Sequence, residues 1–163
     1  MVVSSRSLRA ARALLGRTQE QVAVTSGVSR PTLIRLEGGN YLRHTDSERI
    51  VRVYYEKYGL RFLDDDAGKV AGVRWCEPGT DDEHRRTQLH AARVLIGLKQ
   101  LELAQAVGIG RTALTKFENG ITVQPVIALK KAIREALEAQ GVDFLPDTKD
   151  EGFGVMICSS KGD

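Results

Sequence analysis

Residues 19–39 read QEQVAVTSGVSRPTLIRLEGG, and residues 100–120 read QLELAQAVGIGRTALTKFENG. In the first stretch, residues 18–25 form a short helix with Thr18 as its N-cap. Gly27 breaks that helix, and Ser29 caps another that runs to Glu37. Pro31 falls in the first turn of the latter, where its missing N–H costs little. Two short helices joined by three or four residues must touch closely. Ala23 is small enough to let the following helix approach, and Gly27 supplies the positive φ that so short a turn requires. Val28, Leu33 and Leu36 then bury one side of the second helix and leave Arg30, Thr32, Ile34 and Arg35 facing out. The second stretch repeats this with Gln100, Leu103, Ala104, Val107, Gly108, Ile109, Leu114 and Phe117. Its outward residues are Arg111, Thr112, Thr115 and Lys116.

The repetition extends in both directions. Residues 8–39 and 89–120 share thirteen of thirty-two positions, among them Ala10/Ala91, Arg12/Arg93, Gln19/Gln100, Gly27/Gly108, Arg30/Arg111 and Glu37/Glu118. With one residue added to the offset, Gly59, Phe62, Leu63, Gly72, Val73 and Cys76 match Gly141, Phe144, Leu145, Gly154, Val155 and Cys158. A loop of different length after the third helix of each copy accounts for that extra residue. The chain is therefore two copies of one unit, residues 1–77 and 85–163, with a linker at 78–84 marked by Pro78, Gly79 and the acids that follow.

Within each unit the periodicity predicts about four helices and then a β-hairpin. In the first unit the helices fall at 6–15, 18–25, 29–37 and 46–58, with Thr45 and Glu48 at capping-box spacing and Gly59 as a left-handed cap. Strands follow at 61–63 and 70–75. In the second unit the helices fall at 85–96, 99–106, 110–118 and 125–140, with Pro125 in the first turn of the last and Gly141 as its C-cap. Strands follow at 142–145 and 153–158. Asn40 helps to stop the third helix. Trp75 and Ile157 occupy equivalent hairpin-core positions, and Tyr54, Tyr55 and Tyr58 fit helix packing.

Charge is unevenly spread. The net formal charge is +3. Residues 6–52 hold nine Arg against four acids, and residues 85–119 hold six Lys or Arg against two. The acids gather at Asp64, Asp65 and Asp66, at Asp81, Asp82 and Glu83, and at 147–151. Basic helical blocks alternating with acidic loops point to an anionic partner for the former. No run approaches the ~18 apolar residues of a membrane span. Arg6, Arg9 and Arg12 interrupt the N-terminal region, so no secretory signal is expected. Two cysteines in equivalent positions, Cys76 and Cys158, read as buried or half-buried thiols in a reducing cytoplasm. No Cys/His cluster has metal-ligand spacing, and His44 and His90 read as surface or groove-edge residues without partners. No nucleophile–base pair or phosphate-cradling glycine loop is present, so neither enzyme activity nor a cofactor is expected.

The pattern Gln19, Ala23, Gly27, Val28, Ser29, Leu33 and Glu37 resembles the phage-repressor-like (Xre-type) helix-turn-helix family of DNA-binding regulators. The same holds for Gln100, Ala104, Gly108, Ile109, Leu114 and the run Phe117-Glu118-Asn119-Gly120. The resemblance implies a mainly α chain of two tandem lambda-repressor-like helix-turn-helix domains, each followed by a short β-hairpin. It also implies roles. Ser29, Arg30, Pro31, Thr32, Arg111, Thr112 and Thr115 would reach base edges, with Pro31 limited to apolar contact. Arg17, Gln19, Arg35, Lys99, Gln100, Lys116 and Asn119 would hold phosphates. Gly110 stands where the first copy has Ser29, so the two readers are expected to prefer unequal half-sites. Glu37 and Glu118 are expected to brace the fold by pairing with Arg12 and Arg93.

The expected function is a cytoplasmic, nucleoid-associated repressor that reads a bipartite site in double-stranded DNA and regulates its own gene. The two units use up the 163 residues, so no effector domain is expected. Either the two hairpins pair within one chain, giving a covalent pseudo-dimer, or they pair between chains, giving a homodimer with four readers. The competing class is an antitoxin or adaptor whose acidic segments dock a basic protein partner, with DNA binding as autoregulation.

Overall fold

A computed structural model of the chain describes residues 3–39, 46–65, 67–121 and 124–158. Asn40, His44, Thr45 and Asp66 lie outside the described residues, as do parts of both loops expected to differ in length.

Helix α1 (Ser5–Leu14) starts where the Ser4 hydroxyl accepts the Ser7 N–H, and it buries Leu8, Ala11 and Leu14 on one face. Helices α2 (Gln19–Ser26) and α3 (Arg30–Gly38) follow the expected local chemistry. Thr18 and Gln21 form a reciprocal capping box, Gly27 turns the chain at φ +76°, and Ser29 caps α3 through the Thr32 N–H. Each cap satisfies amide groups that the first helical turn leaves without carbonyl partners. Helix α4 (Asp46–Lys57) closes the unit and brings in Tyr55, which is fully buried like Val22 and Leu33. Tyr54 is buried as well, whereas Tyr58 is exposed at the helix end.

Strands β1 (Leu60–Asp64) and β2 (Val70–Trp75) form an antiparallel hairpin. Its turn is closed by the Asp65 carboxylate, which accepts the Ala67 and Lys69 N–H groups. After a short 3-10 turn at Glu83–Arg85, the second unit runs through α5 (Arg86–Leu95), α6 (Gln100–Val107), α7 (Arg111–Glu118) and α8 (Val126–Ala139) to strands β3 (Val142–Leu145) and β4 (Gly154–Ile157). Asp82, expected as linker, instead caps α5 by accepting the Thr87 and Gln88 N–H groups.

Several boundaries shift for local reasons. Pro125 is the N-cap of α8 rather than part of its first turn, and Gln140 is its C-cap, with Gly141 one residue on at φ +88°. Phe153 and Cys158 fall outside β4. Both cysteines are exposed rather than buried, because each follows the last paired residue of its strand. Extending the β2–β4 register places Cys158 opposite Val70, six residues from Cys76. At about 3.3 Å per residue that span is far beyond the reach of a disulfide. Trp75 and Ile157 are half-buried against the core.

The two hairpins join into one sheet of order β1-β2-β4-β3, antiparallel throughout. At its centre Val73 pairs with Val155, flanked by Gly72 with Met156 and Arg74 with Gly154. Val73 and Val155 are the same residue of the two copies, as are Gly72 and Gly154. The register therefore has the form of an isologous interface, with a pseudo-dyad through the Val73–Val155 pair.

The helices obey the same relation. α1 packs on α5 more extensively than any other pair of helices, and Ala10, Ala11, Ala91 and Ala92 in these helices are wholly buried. Arg6, near the start of α1, lies against Gly97 past the end of α5; Thr87, near the start of α5, lies against Gly16 past the end of α1. The two helices thus run antiparallel, with alanines permitting close approach.

Gly154 is required at the sheet seam. A Cβ there would lie 2.5 Å from the Val73 carbonyl oxygen and 2.3 Å from Arg74 Cβ. Gly154→Ala is expected to lower stability by about 1–3 kcal/mol through overpacking. Thermal unfolding of the full chain measures this, and an unchanged midpoint would contradict the register.

Candidate nucleic-acid interface

Each helix-turn-helix is held by a buried carboxylate. Glu37 is 2% exposed, and its two oxygens accept from Arg12 Nε at 2.7 Å and Arg12 Nη2 at 3.0 Å. Gln19 Nε2 donates to the same carboxylate at 2.9 Å. In the second copy Arg93 grips Glu118 at 2.6 and 2.9 Å, and Gln100 donates at 2.8 Å. The remaining guanidinium nitrogen of each arginine donates to a backbone carbonyl after its helix, Arg17 in one copy and Leu98 in the other. This knot ties the first, second and third helices of each unit together. The expected pairing of Glu37 and Glu118 with Arg12 and Arg93 is present.

Gln19 and Gln100, expected at phosphates, are partly committed to the knot. Each retains a second amide proton, so contact with an anion requires the side chain to serve both sides. Ser29 is likewise committed, its hydroxyl being the N-cap of α3 and within 2.9 Å of the Thr32 hydroxyl. Thr115 is half-buried and donates to the Arg111 carbonyl and Gln100 Oε1. Arg30, Pro31, Arg111 and Thr112 stand exposed on the first turns of α3 and α7. Arg30 makes a loose, exposed pair with Glu20 at 3.5 Å. Arg35 is exposed and donates to Thr32. Arg17, Lys99, Lys116 and Asn119 are exposed, with the Arg17 guanidinium 6.0 Å from the Tyr58 ring.

The readers differ in how they are held. α3 has the Ser29 cap, whereas α7 begins at Gly110 with no side-chain cap. α2 has a full capping box. α6 has half of one, because Lys99 carries no acceptor and only the Glu102 carboxylate takes up the Lys99 N–H.

Two acids of the second hairpin's 147–151 segment, Asp147 and Glu151, are engaged by arginines. Asp147 pairs with Arg85 at 2.6 Å; Glu151 pairs with Arg74 at 2.5 Å and also with Arg61. Arg74 is itself buried and donates to the Gly152 carbonyl.

His90 is not a free surface group. It lies on α5 at the position equivalent to Arg9 of α1, and its Nε2 is 3.8 Å from Glu118. Burial, outweighing the attraction of Glu118, pulls its pKa down to about 4, and Arg93, Arg12 and Arg86 act in the same direction. Arg9 is also partly desolvated, which lowers its pKa. Its Nε is buried with no hydrogen-bond partner among the described residues. For Glu118, burial raises the pKa, but hydrogen bonds from Arg93 and Gln100 help to hold it below the ordinary value.

A family model described as helix-turn-helix matches residues 8–53 and 89–135, together more than half of the chain. No curated protein and no solved structure gives a significant match.

The His90 environment fixes a pH response. Its folded pKa lies below that of the unfolded chain, so unfolding takes up a proton between about pH 6.5 and 4, and stability is lost as pH falls through that window. Glu118 loses its contribution in the same direction, as pH falls toward its lowered pKa. Denaturant unfolding at pH 7 and 4.5 is expected to show that His90→Gln removes about 2 kcal/mol of the acid-induced loss. Equal losses in the two proteins would place His90 in a solvated setting.

Proposed function

This chain belongs to the Xre-type, lambda-repressor-like helix-turn-helix family, and on that premise we propose that it is a repressor reading a bipartite operator in double-stranded DNA. The observation that carries this is the pseudo-dyad through Val73 and Val155, which relates two helix-turn-helix units inside one chain. Two-fold operators are read by paired helices about one DNA turn apart, normally supplied by two chains. Here α3 and α7 are the pair. Arg30 and Arg111, exposed on their first turns, grip guanine O6 and N7, Pro31 and Thr112 flank them, and Lys116 and Arg35 hold phosphates. Ser29 and Thr32, already bonded to each other, and Thr115, bonded to Gln100, reach bases only by exchanging those bonds. The capped α3 and the uncapped α7 read related but unequal halves. Occluding a promoter needs no further surface, which favours repression, including that of the protein's own gene.

The adaptor reading needs acidic residues free to dock a basic partner. Asp147 and Glu151 are engaged by arginines of this chain, which favours DNA as the ligand.

Footprinting on the region upstream of the protein's own gene, near 150 mM salt, tests the proposal. The wild type is expected to protect two neighbouring sites. Arg30→Ala and Arg111→Ala are each expected to weaken one of them, with a loss of about 1–3 kcal/mol of discrimination at one base pair. Lys116→Ala is expected to weaken all sequences alike and to reduce the salt slope by about 1. Protection of a single site, lost with only one arginine variant, would leave one working reader and overturn the bipartite operator.

A further inference from the structure

The seam between the two units is not symmetric in its detail. On one side an open cleft of about 740 Å³ lies between the first copy's α1–α2 turn and the second copy's α5 and α7. Arg17, Gln19, Glu20 and Arg30 line it from the first copy, and Arg86, His90 and Glu118 from the second. On the other side of the pseudo-dyad an arginine side chain enters the equivalent place. There the Arg6 guanidinium lies 3.2 Å from where a Cβ on Gly97 would be, whereas its counterpart Thr87 reaches Gly16 only with a methyl group. The long Arg9 likewise stands where the other side has His90. Two short residues on α5 thus open a space that two arginines on α1 close.

The arginines lining this cleft outnumber its two glutamates, Glu20 and Glu118. Arg12 is paired with Glu37, and Glu118 with Arg93. Among the described residues, Arg30 has the loose contact with Glu20 alone, and Arg17 has Tyr58 beside it and no carboxylate partner. Arg86 donates one N–H to the Glu118 carbonyl. The first-turn N–H groups of α2, at Gln19 and Glu20, add donors that no helical carbonyl reaches. Arginines from two units converge with amide donors on one concave site.

We propose that this cleft binds a phosphate group, held by Arg17 from one copy and Arg86 from the other. The inference rests on the DNA-binding reading only for one of two sources of that phosphate: the backbone of the spacer between the half-sites, or a free phosphorylated ligand. In either case the bound group bridges the two units across the pseudo-dyad, which no contact on a single reader does.

The test uses the full chain, isotope-labelled, titrated with pyrophosphate and followed by NMR. Saturable shifts are expected at the amides of Gly16 to Gln19, at Asn119 and at the His90 ring. Arg86→Ala is expected to weaken pyrophosphate binding at least tenfold. Thr87→Arg, which plugs the cleft as Arg6 plugs its mirror image and removes no hydrogen bond, is expected to weaken it equally. Attraction by surface charge alone predicts the reverse for Thr87→Arg, since that variant adds a cation. Fluorescence anisotropy with a labelled duplex then separates the sources. If the spacer backbone is the occupant, Arg86→Ala weakens DNA binding and lowers the salt slope by about 1; if a free ligand is, DNA affinity is unchanged while pyrophosphate affinity falls. Failure of the wild type to bind any duplex would sink the DNA reading and leave the pyrophosphate result standing. Shifts spread over the whole basic surface, or tighter binding by Thr87→Arg, would overturn the cleft.

Discussion

A buried carboxylate needs its charge answered, and in this protein that requirement organises each unit. Glu37 and Glu118 are withdrawn from water, which is costly for an unpaired ion. Each is met by a two-pronged arginine and a glutamine amide. Because the arginine comes from the first helix, the glutamine from the second and the glutamate from the third, the charge is neutralised only when all three helices are in place. Bidentate arginine–carboxylate geometry tolerates little rotation. The angle between the second and third helices, and with it the direction of the reading face, is therefore tied to a single electrostatic requirement. Apolar packing of Leu33 or Leu114 supplies most of the burial, but it would accept small rotations that the carboxylate would not.

Across the seam the same logic appears once among the described residues, where the buried Arg74 of the first unit donates to Glu151 and to the Gly152 carbonyl of the second. There the units meet through alanines on α1 and α5 and through backbone pairing at Val73 and Val155. Glycines at 72 and 154 let the strands close without side chains in the way. A seam of this kind is close, and the polar residues at its margins carry the differences between its two sides. His90 and Arg9 occupy equivalent places and answer burial differently. The imidazole gives up its proton, whereas the guanidinium keeps its charge and leaves Nε without a partner among the described residues.

What could be read from the sequence divides along this line. The turn between the second and third helices was legible because Ala23, Gly27 and Ser29 impose local requirements within ten residues. The Arg12–Glu37 pairing was legible because the same two residue types recur at the same separation in the second copy. The free edge of each hairpin was legible as a problem, but its solution was not, since two arrangements satisfy it equally. Which strands pair depends on how the units dock, and periodicity carries no information about that. Gln19 and Gln100 show a different limit. Their position at the start of the second helix suits an outward contact, and only the placement of the third helix shows that each also faces a buried carboxylate. His90 shows the same limit, because its proximity to Glu118 depends on how α5 and α7 pack.

A pseudo-dyad inside one chain also alters what mutation can do. In a symmetric pair of identical chains every substitution appears twice, so a change that suits one side is imposed on the other. Here the two sides are written separately in the gene. Arg6 and Thr87, Arg9 and His90, and Ser29 and Gly110 are pairs that have already parted, while Val73 and Val155 at the axis have not. The geometry of a dimer is kept, and the obligation to remain symmetric is gone.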